Sequence, residues 1–175
     1  TQPDRPAINW KGQVVTYGDL DSLTNQLAEL LRESGTHSGD RVAFCIPKSP
    51  AAIVSMIGTL KADCIYVPID AECPAARVAK VLESCRPKWL LGSKRTARLI
   101  DQVFGEYDVR NVQVGCLDEE EIGGEHFSAA FHLSDLEQFS NHSHCYVSSA
   151  SDAAHILFTS GSTGVPKGVV ITHEM

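Results

Sequence analysis

From residue 41 to residue 117 the sequence alternates short, continuously apolar runs with amphipathic stretches about three turns long. The runs fall at 41–46, 65–67, 88–91 and 112–117, the first closed by Pro47 and the second by Pro68. A strand that is apolar on both faces belongs inside a sheet covered on both sides, which is the habit of parallel sheets. The stretches between them read as helices. Ser49 and Pro50 form a helix start, with an apolar face at Ile53, Met56, Ile57 and Leu60. Residues 75–85 carry Val78, Val81 and Leu82 on one stripe, and 93–104 reads as a further helix. Strand, helix and strand in this order predict an α/β fold. Its sheet is mostly parallel and flanked by helices, and each crossover is right-handed.

Ahead of this unit, residues 7–10 and 14–16 predict a hairpin turning at Gly12. The period then changes to helical from Tyr17, with Leu20, Leu23, Leu27, Leu30 and Leu31 on one stripe, Thr16 as the cap and Gly35 as the stop. After it, residues 118–151 break the pattern. They are acidic, rich in serine and histidine, and read as a surface excursion with one short helix near 133–139. Order returns with strands expected at 153–158 and 168–172.

Charge narrows the function. Fifteen Lys and Arg stand against twenty-two Asp and Glu, a net charge of −7, which argues against a nucleic-acid-binding module. Eight of the acids lie between Arg110 and Lys167, a stretch without Lys or Arg, so the rest of the chain carries +1. No apolar run approaches the ~18 residues of a membrane-spanning helix, and Asp4 and Arg5 do not fit a signal peptide. Six cysteines form no C-x-x-C pair and read as reduced thiols of a cytoplasmic protein.

The chemistry concentrates between the last two strands. Residues 159–168 read T-S-G-S-T-G-V-P-K-G: three glycines, four hydroxyls, one proline and one lysine, with no acid. Glycines let a ligand approach the backbone closely, and successive N–H groups in such a turn form an anion-binding nest. The hydroxyls of Thr159, Ser160, Ser162 and Thr163 add neutral donors, and Lys167 adds a point charge suited to phosphate. This is not a Walker A loop: Pro166 precedes Lys167, and a strand rather than a helix follows. A flexible linker is the bland alternative, disfavoured by the Pro-Lys-Gly punctuation between two strands.

At these residues the chain resembles the adenylate-forming (AMP-binding) superfamily, whose members include nonribosomal peptide synthetase adenylation domains, acyl-CoA ligases and luciferases. Thr159 to Gly168 match its signature loop throughout. Val15 to Leu20 resemble its T-Y-x-E-L element, with Asp19 for Glu. Gly39 to Ala43 resemble its G-D-x-V-A element. Leu60 to Asp70 resemble the L-K-A-G-x-A-Y-V-P-I-D element of amino-acid-activating members, with Asp63, Cys64 and Ile65 in place of the usual small residues. The resemblance implies a partial N-terminal domain of the adenylate-forming fold spanning 1–175 and ending just past the phosphate loop. It implies that Thr159, Ser160, Gly161, Ser162, Thr163 and Gly164 wrap the phosphates of ATP, with Lys167 neutralising charge and Mg²⁺ accompanying the nucleotide. A carboxylate, an amino acid by preference, would become an acyl-adenylate with release of pyrophosphate. A phosphopantetheine thiol, on a carrier-protein domain or on CoA, would then accept the acyl group. Other catalytic parts would lie beyond this stretch, leaving it inactive alone. An acyl- or aryl-CoA ligase is the alternative within the enzyme class, and a catalytically silent nucleotide-binding module the alternative outside it.

Other candidates rank below the loop. His142, His144 and Cys145 could form a zinc half-site but have no partner pair at ligand spacing, so a polar loop is expected there, and no metal site. His126, His132 and His155 read as surface or loop residues. Cys45 and Cys64 have no base nearby in sequence to make them nucleophiles.

Overall fold

The computed structural model describes residues 2–118, 122–159 and 166–175. Strands β1 (Pro6–Trp10) and β2 (Gln13–Thr16) pair antiparallel as a separate hairpin. Helix α1 (Tyr17–Glu33) follows at once. Thr16 Oγ1 accepts from the Asp19 backbone N–H at 3.1 Å, and the Thr16 backbone N–H donates to Asp19 Oδ2 at 3.1 Å. This reciprocal box satisfies two backbone donors that a bare helix start leaves open.

The main sheet has seven strands in the order β7-β6-β5-β3-β4-β8-β9. They are β3 (Arg41–Phe44), β4 (Ile65–Pro68), β5 (Trp89–Gly92), β6 (Gln113–Cys116), β7 (Ala129–Phe131), β8 (Ala153–Thr159) and β9 (Lys167–Thr172). Every neighbouring pair is parallel except β8 and β9, which form an antiparallel hairpin. Helices α2 (Pro50–Lys61), α3 (Ala75–Cys85) and α4 (Ala97–Glu106) are the crossovers. Helices α1 and α2 cover one face, with Leu27, Leu31, Val54 and Leu91 in its core. Helices α3 and α4 cover the other, over Val67, Val78, Leu82, Leu90 and Ile100. Alternate residues of one strand feed opposite cores, as the two-residue period requires: Leu90 packs on one side and Leu91 on the other.

The segment read as a surface excursion divides in two. Its first half enters the fold. Ile122, Phe127, Phe131 and Leu136 are buried, and β7 joins β6 in parallel at the sheet edge. The Phe131 ring meets Trp89 edge-on at 5.3 Å, and it lies over Gly115, where an added Cβ would approach the ring to 2.3 Å. The expected helix at 133–139 is a 3₁₀ turn, Leu133–Gln138. Low local periodicity hid these contacts because single buried residues, spaced by polar ones, make the anchoring. The second half, 140–150, stays largely exposed and runs as a strap past α1. The helix expected from 93 likewise begins as a 3₁₀ turn, Lys94–Thr96, before α4.

Candidate functional site

The T-S-G-S-T-G-V-P-K-G run sits at the turn of the β8–β9 hairpin. Ser160, Gly161, Ser162, Thr163 and Gly164 lie outside the described residues; the two ends of the run, Thr159 and Lys167, lie within them. The register pairs Thr159 with Lys167, Phe158 with Gly168 and Ile156 with Val170. Thr159 Oγ1 lies 3.5 Å from the Lys167 carbonyl oxygen. Gly168 is required for packing: a Cβ there would meet Ile156 at 2.9 Å and the Phe158 ring at 3.1 Å. Pro166 is buried while Lys167 is exposed, so the chain is anchored immediately before the lysine and the ammonium is left in solvent. No carboxylate among the described residues pairs with Lys167. An exposed cation with no carboxylate partner among the described residues suits a polyphosphate.

The hairpin joins the parallel sheet through β4. Tyr66 is in register with His155, and their rings stack at 4.8 Å with planes 9° apart. His155 is therefore a half-buried strand residue rather than the surface or loop histidine the sequence suggests.

A second concavity, about 1110 Å³, opens at the carboxyl ends of β3, β4 and β5. Loops leave β3 for one face of the sheet and leave β4 and β5 for the other. Such a reversal places a crevice beside the reversing strand. Lys48, Asp70, Glu72 and Arg95 line it, and Thr96 Oγ1 closes its floor by donating to the Cys45 carbonyl at 2.8 Å. Neither Thr159 nor Lys167 lines this cleft. The sequence signal for these residues was their position directly after each apolar run, where parallel strands end.

The remaining candidates separate cleanly. No disulfide joins any of the six cysteines. Burial pushes the Cys45 thiol up to about 12, with Cys73 and Asp70 adding to it, and burial likewise pushes Cys64 up to about 12 and Cys85 to about 11. Thiols so raised are not thiolates at neutral pH and are poor nucleophiles. His144 Nε2 lies 2.6 Å from Glu29 Oε2. Among the described residues no three His, Cys, Asp or Glu gather as a metal site, and no helix is long and apolar enough to cross a membrane.

A mostly parallel α/β sheet covered by helices on both faces, with an antiparallel hairpin at its end, is the architecture of the adenylate-forming fold. Over residues 1–175 the chain belongs to the AMP-binding enzyme family. It is 33% identical over 172 residues to gramicidin S synthase 2 of Brevibacillus brevis, covering 98% of this chain and 3% of that protein. It is 36% identical over 172 residues to the nonribosomal peptide synthetase GRA1 of Gibberella zeae, covering 98% of this chain and 2% of that protein. Among solved structures, the nonribosomal peptide synthetase FmoA3 bound to α-methyl-L-serine-AMP superposes with a TM-score of 0.73 at 27% identity, over 98% of this chain and 17% of that one. The anthranilate CoA ligase AuaEII with anthranoyl-AMP shares the fold, with a TM-score of 0.86 at 20% identity over 98% of this chain and 32% of that one. The chain thus spans a few per cent of these curated relatives and under a third to about a sixth of these solved chains.

Proposed function

We propose that this chain supplies the ATP phosphate-binding loop of an enzyme that activates an amino acid as its acyl-adenylate, releasing pyrophosphate. The observation that carries the reading is the placement of the T-S-G-S-T-G-V-P-K-G run between β8 and β9, with exposed Lys167 opposite Thr159 and no described acid beside it. The donor set fits a polyphosphate: a cation and hydroxyls around glycines, at the open end of a hairpin. In this reading Thr159, Ser160, Gly161, Ser162, Thr163 and Gly164 hold the phosphates. Lys167 offsets the charge that grows on pyrophosphate as it leaves, a donor fixed in place before the reaction. Mg²⁺ arrives with the nucleotide as part of the substrate. The relatives named as nonribosomal peptide synthetases, one of them solved with α-methyl-L-serine-AMP, support an amino acid as the carboxylate, and a carrier-borne phosphopantetheine thiol is the acceptor in this reading.

The 175 residues form the front part of a larger domain and do not catalyse alone, a reading supported by the small share of each solved chain that they cover. The test is exchange of labelled pyrophosphate into ATP by the intact protein, screened over amino acids, fatty acids and aryl acids. Exchange dependent on one amino acid is expected. Exchange dependent on a fatty or aryl acid would move the substrate to that class, and none with any carboxylate would overturn the reading.

A further inference from the structure

Asp63 is out of place by ordinary rules. It is a non-glycine residue at φ +57°, at the corner between α2 and β4, and it is 8% exposed. Asp tolerates this left-handed conformation better than most residues, but it is still strained there. One oxygen of its carboxylate is engaged with a segment far away in sequence. Oδ1 accepts from the Val147 backbone N–H at 3.1 Å, from the Ser148 backbone N–H at 3.0 Å and from the Ser148 hydroxyl at 2.7 Å. Oδ2 lies 3.6 Å from the Arg32 guanidinium on α1.

The stapled segment leads straight into the hairpin. The Asp152 carboxylate accepts from the Ser149 backbone N–H at 2.7 Å, folding 149–152 into a tight turn. The Asp152 and Ala150 carbonyls accept from the backbone N–H groups of His173 and Glu174, at 3.1 and 3.0 Å. The strap therefore grips both strands of the hairpin at its base, the start of β8 and the residues just after β9. In the sheet itself Tyr66 and His155 are in register between β4 and β8, and Ile156 and Phe158 of β8 pack on the core under α3 and α4.

We propose that Asp63 is a positioning residue that fixes the tilt of the β8–β9 hairpin, and through it the placement of Thr159 and Lys167. The proposal rests on the phosphate-loop reading above. The mechanics are those of a lever. Seven strand residues separate base from tip, an arm of roughly 20 Å. A few degrees of freedom at the base move the tip by an ångström or more, and misplacement on that scale costs catalysis heavily. If the hairpin holds the binding geometry only part of the time, the apparent affinity for nucleotide falls by that fraction.

The test uses the intact protein, with ATP and Mg²⁺ as the titrant and each variant measured well below its own Tm. Asp63→Gly accepts the positive φ without strain but removes the acceptor. It is expected to weaken ATP binding about 3–30-fold and to abolish hydrogen-exchange protection at the Val147 and Ser148 amides. Asp63→Asn keeps an oxygen acceptor and is expected to stay within about threefold of the parent. Should Asp63→Gly fail to fold, Ser148→Ala, which removes one donor from the exposed strap, is expected to weaken ATP binding in the same direction by a smaller factor. Unchanged ATP affinity in folded Asp63→Gly, or in Ser148→Ala where Asp63→Gly does not fold, overturns the proposal. Lys167→Ala separates the two layers. If it weakens ATP binding while Asp63→Gly does not, only the positioning role falls. If Lys167→Ala leaves ATP binding intact, the phosphate-loop reading falls and the role of Asp63 with it.

Discussion

Strands β3, β5 and β6 are buried along nearly their whole length, between α1 and α2 on one face and α3 and α4 on the other, whereas β9 is exposed from Lys167 to Val170. The first region is held by area: Val42, Leu90 and Leu91 are wholly out of solvent. The hairpin buries less, through Ala154 and the partly buried Ile156 and Phe158, and leans more on single contacts: the Tyr66–His155 stack and the strap gripped by Asp63. Area gives stability without demanding any one contact. Point contacts give orientation at little cost in burial, which suits a tip that must present Thr159 and Lys167 to a ligand. Substitutions in the two regions should therefore fail differently.

The largest effect is expected at Trp89, in the area-held region. Its ring is 2% exposed, meets Phe131, and donates through Nε1 to Thr36 Oγ1 at 3.1 Å. Trp89→Ala leaves a cavity and an unpaired hydroxyl, and should cost about 3–5 kcal/mol in a denaturant titration. If the loss is below about 1 kcal/mol, the sheet interior is not the main reservoir of stability. Lys167→Ala should show the opposite signature, with stability within about 0.5 kcal/mol of the parent. Its pyrophosphate exchange should be slower by about 10–1000-fold, and Thr163→Ala should slow exchange in the same way. Unchanged exchange in both variants would remove the loop from the chemistry.

The same contrast explains what could be read from the sequence. The buried strands were legible because continuous apolar runs have few other uses, and the helix starts because Thr16, Ser49 and Pro50 announce them. Ala75–Cys85 falls at its expected bounds. The two strands and the position of the T-S-G-S-T-G-V-P-K-G run between them were legible from its Gly and Pro punctuation, but not that the strands pair antiparallel as a hairpin. Hidden were the elements fixed by contacts distant in sequence. β7 is three residues long and gains its place from Phe131 packing on Trp89 and Gly115. Asp63 reads as a misfit in a turn until Val147 and Ser148 arrive from 84 and 85 residues away. The cleft past β3, β4 and β5 forms only when the strand order brings their ends together.

The smallest effect sharpens the comparison through pH. Burial raises the Asp63 carboxyl, but the Ser148 hydroxyl, the backbone N–H groups of Ser148 and Val147, and Arg32 together lower it further, so it lies below the ordinary carboxylate value. A carboxyl lowered by folding contributes stability that is complete above its unfolded value of about 3.9 and is lost as pH falls through the lower folded value. The point-held region should therefore loosen in acid ahead of the area-held one. Hydrogen-exchange protection factors at Val147 and Ser148, corrected for the intrinsic pH dependence, should fall below about pH 4. Those at Ala43 and Leu90, wholly buried with no carboxylate on their own side chains, should hold to lower pH. Asp63→Asn removes one of the strap's two carboxylates, so the acid loss at Val147 and Ser148 should shrink to what the Asp152 turn contributes, with protection weaker than the parent's at neutral pH. Loss of strap and core protection together, at one pH, would mean that the hairpin base and the parallel sheet open as a single unit and that the division between them is one of geometry alone.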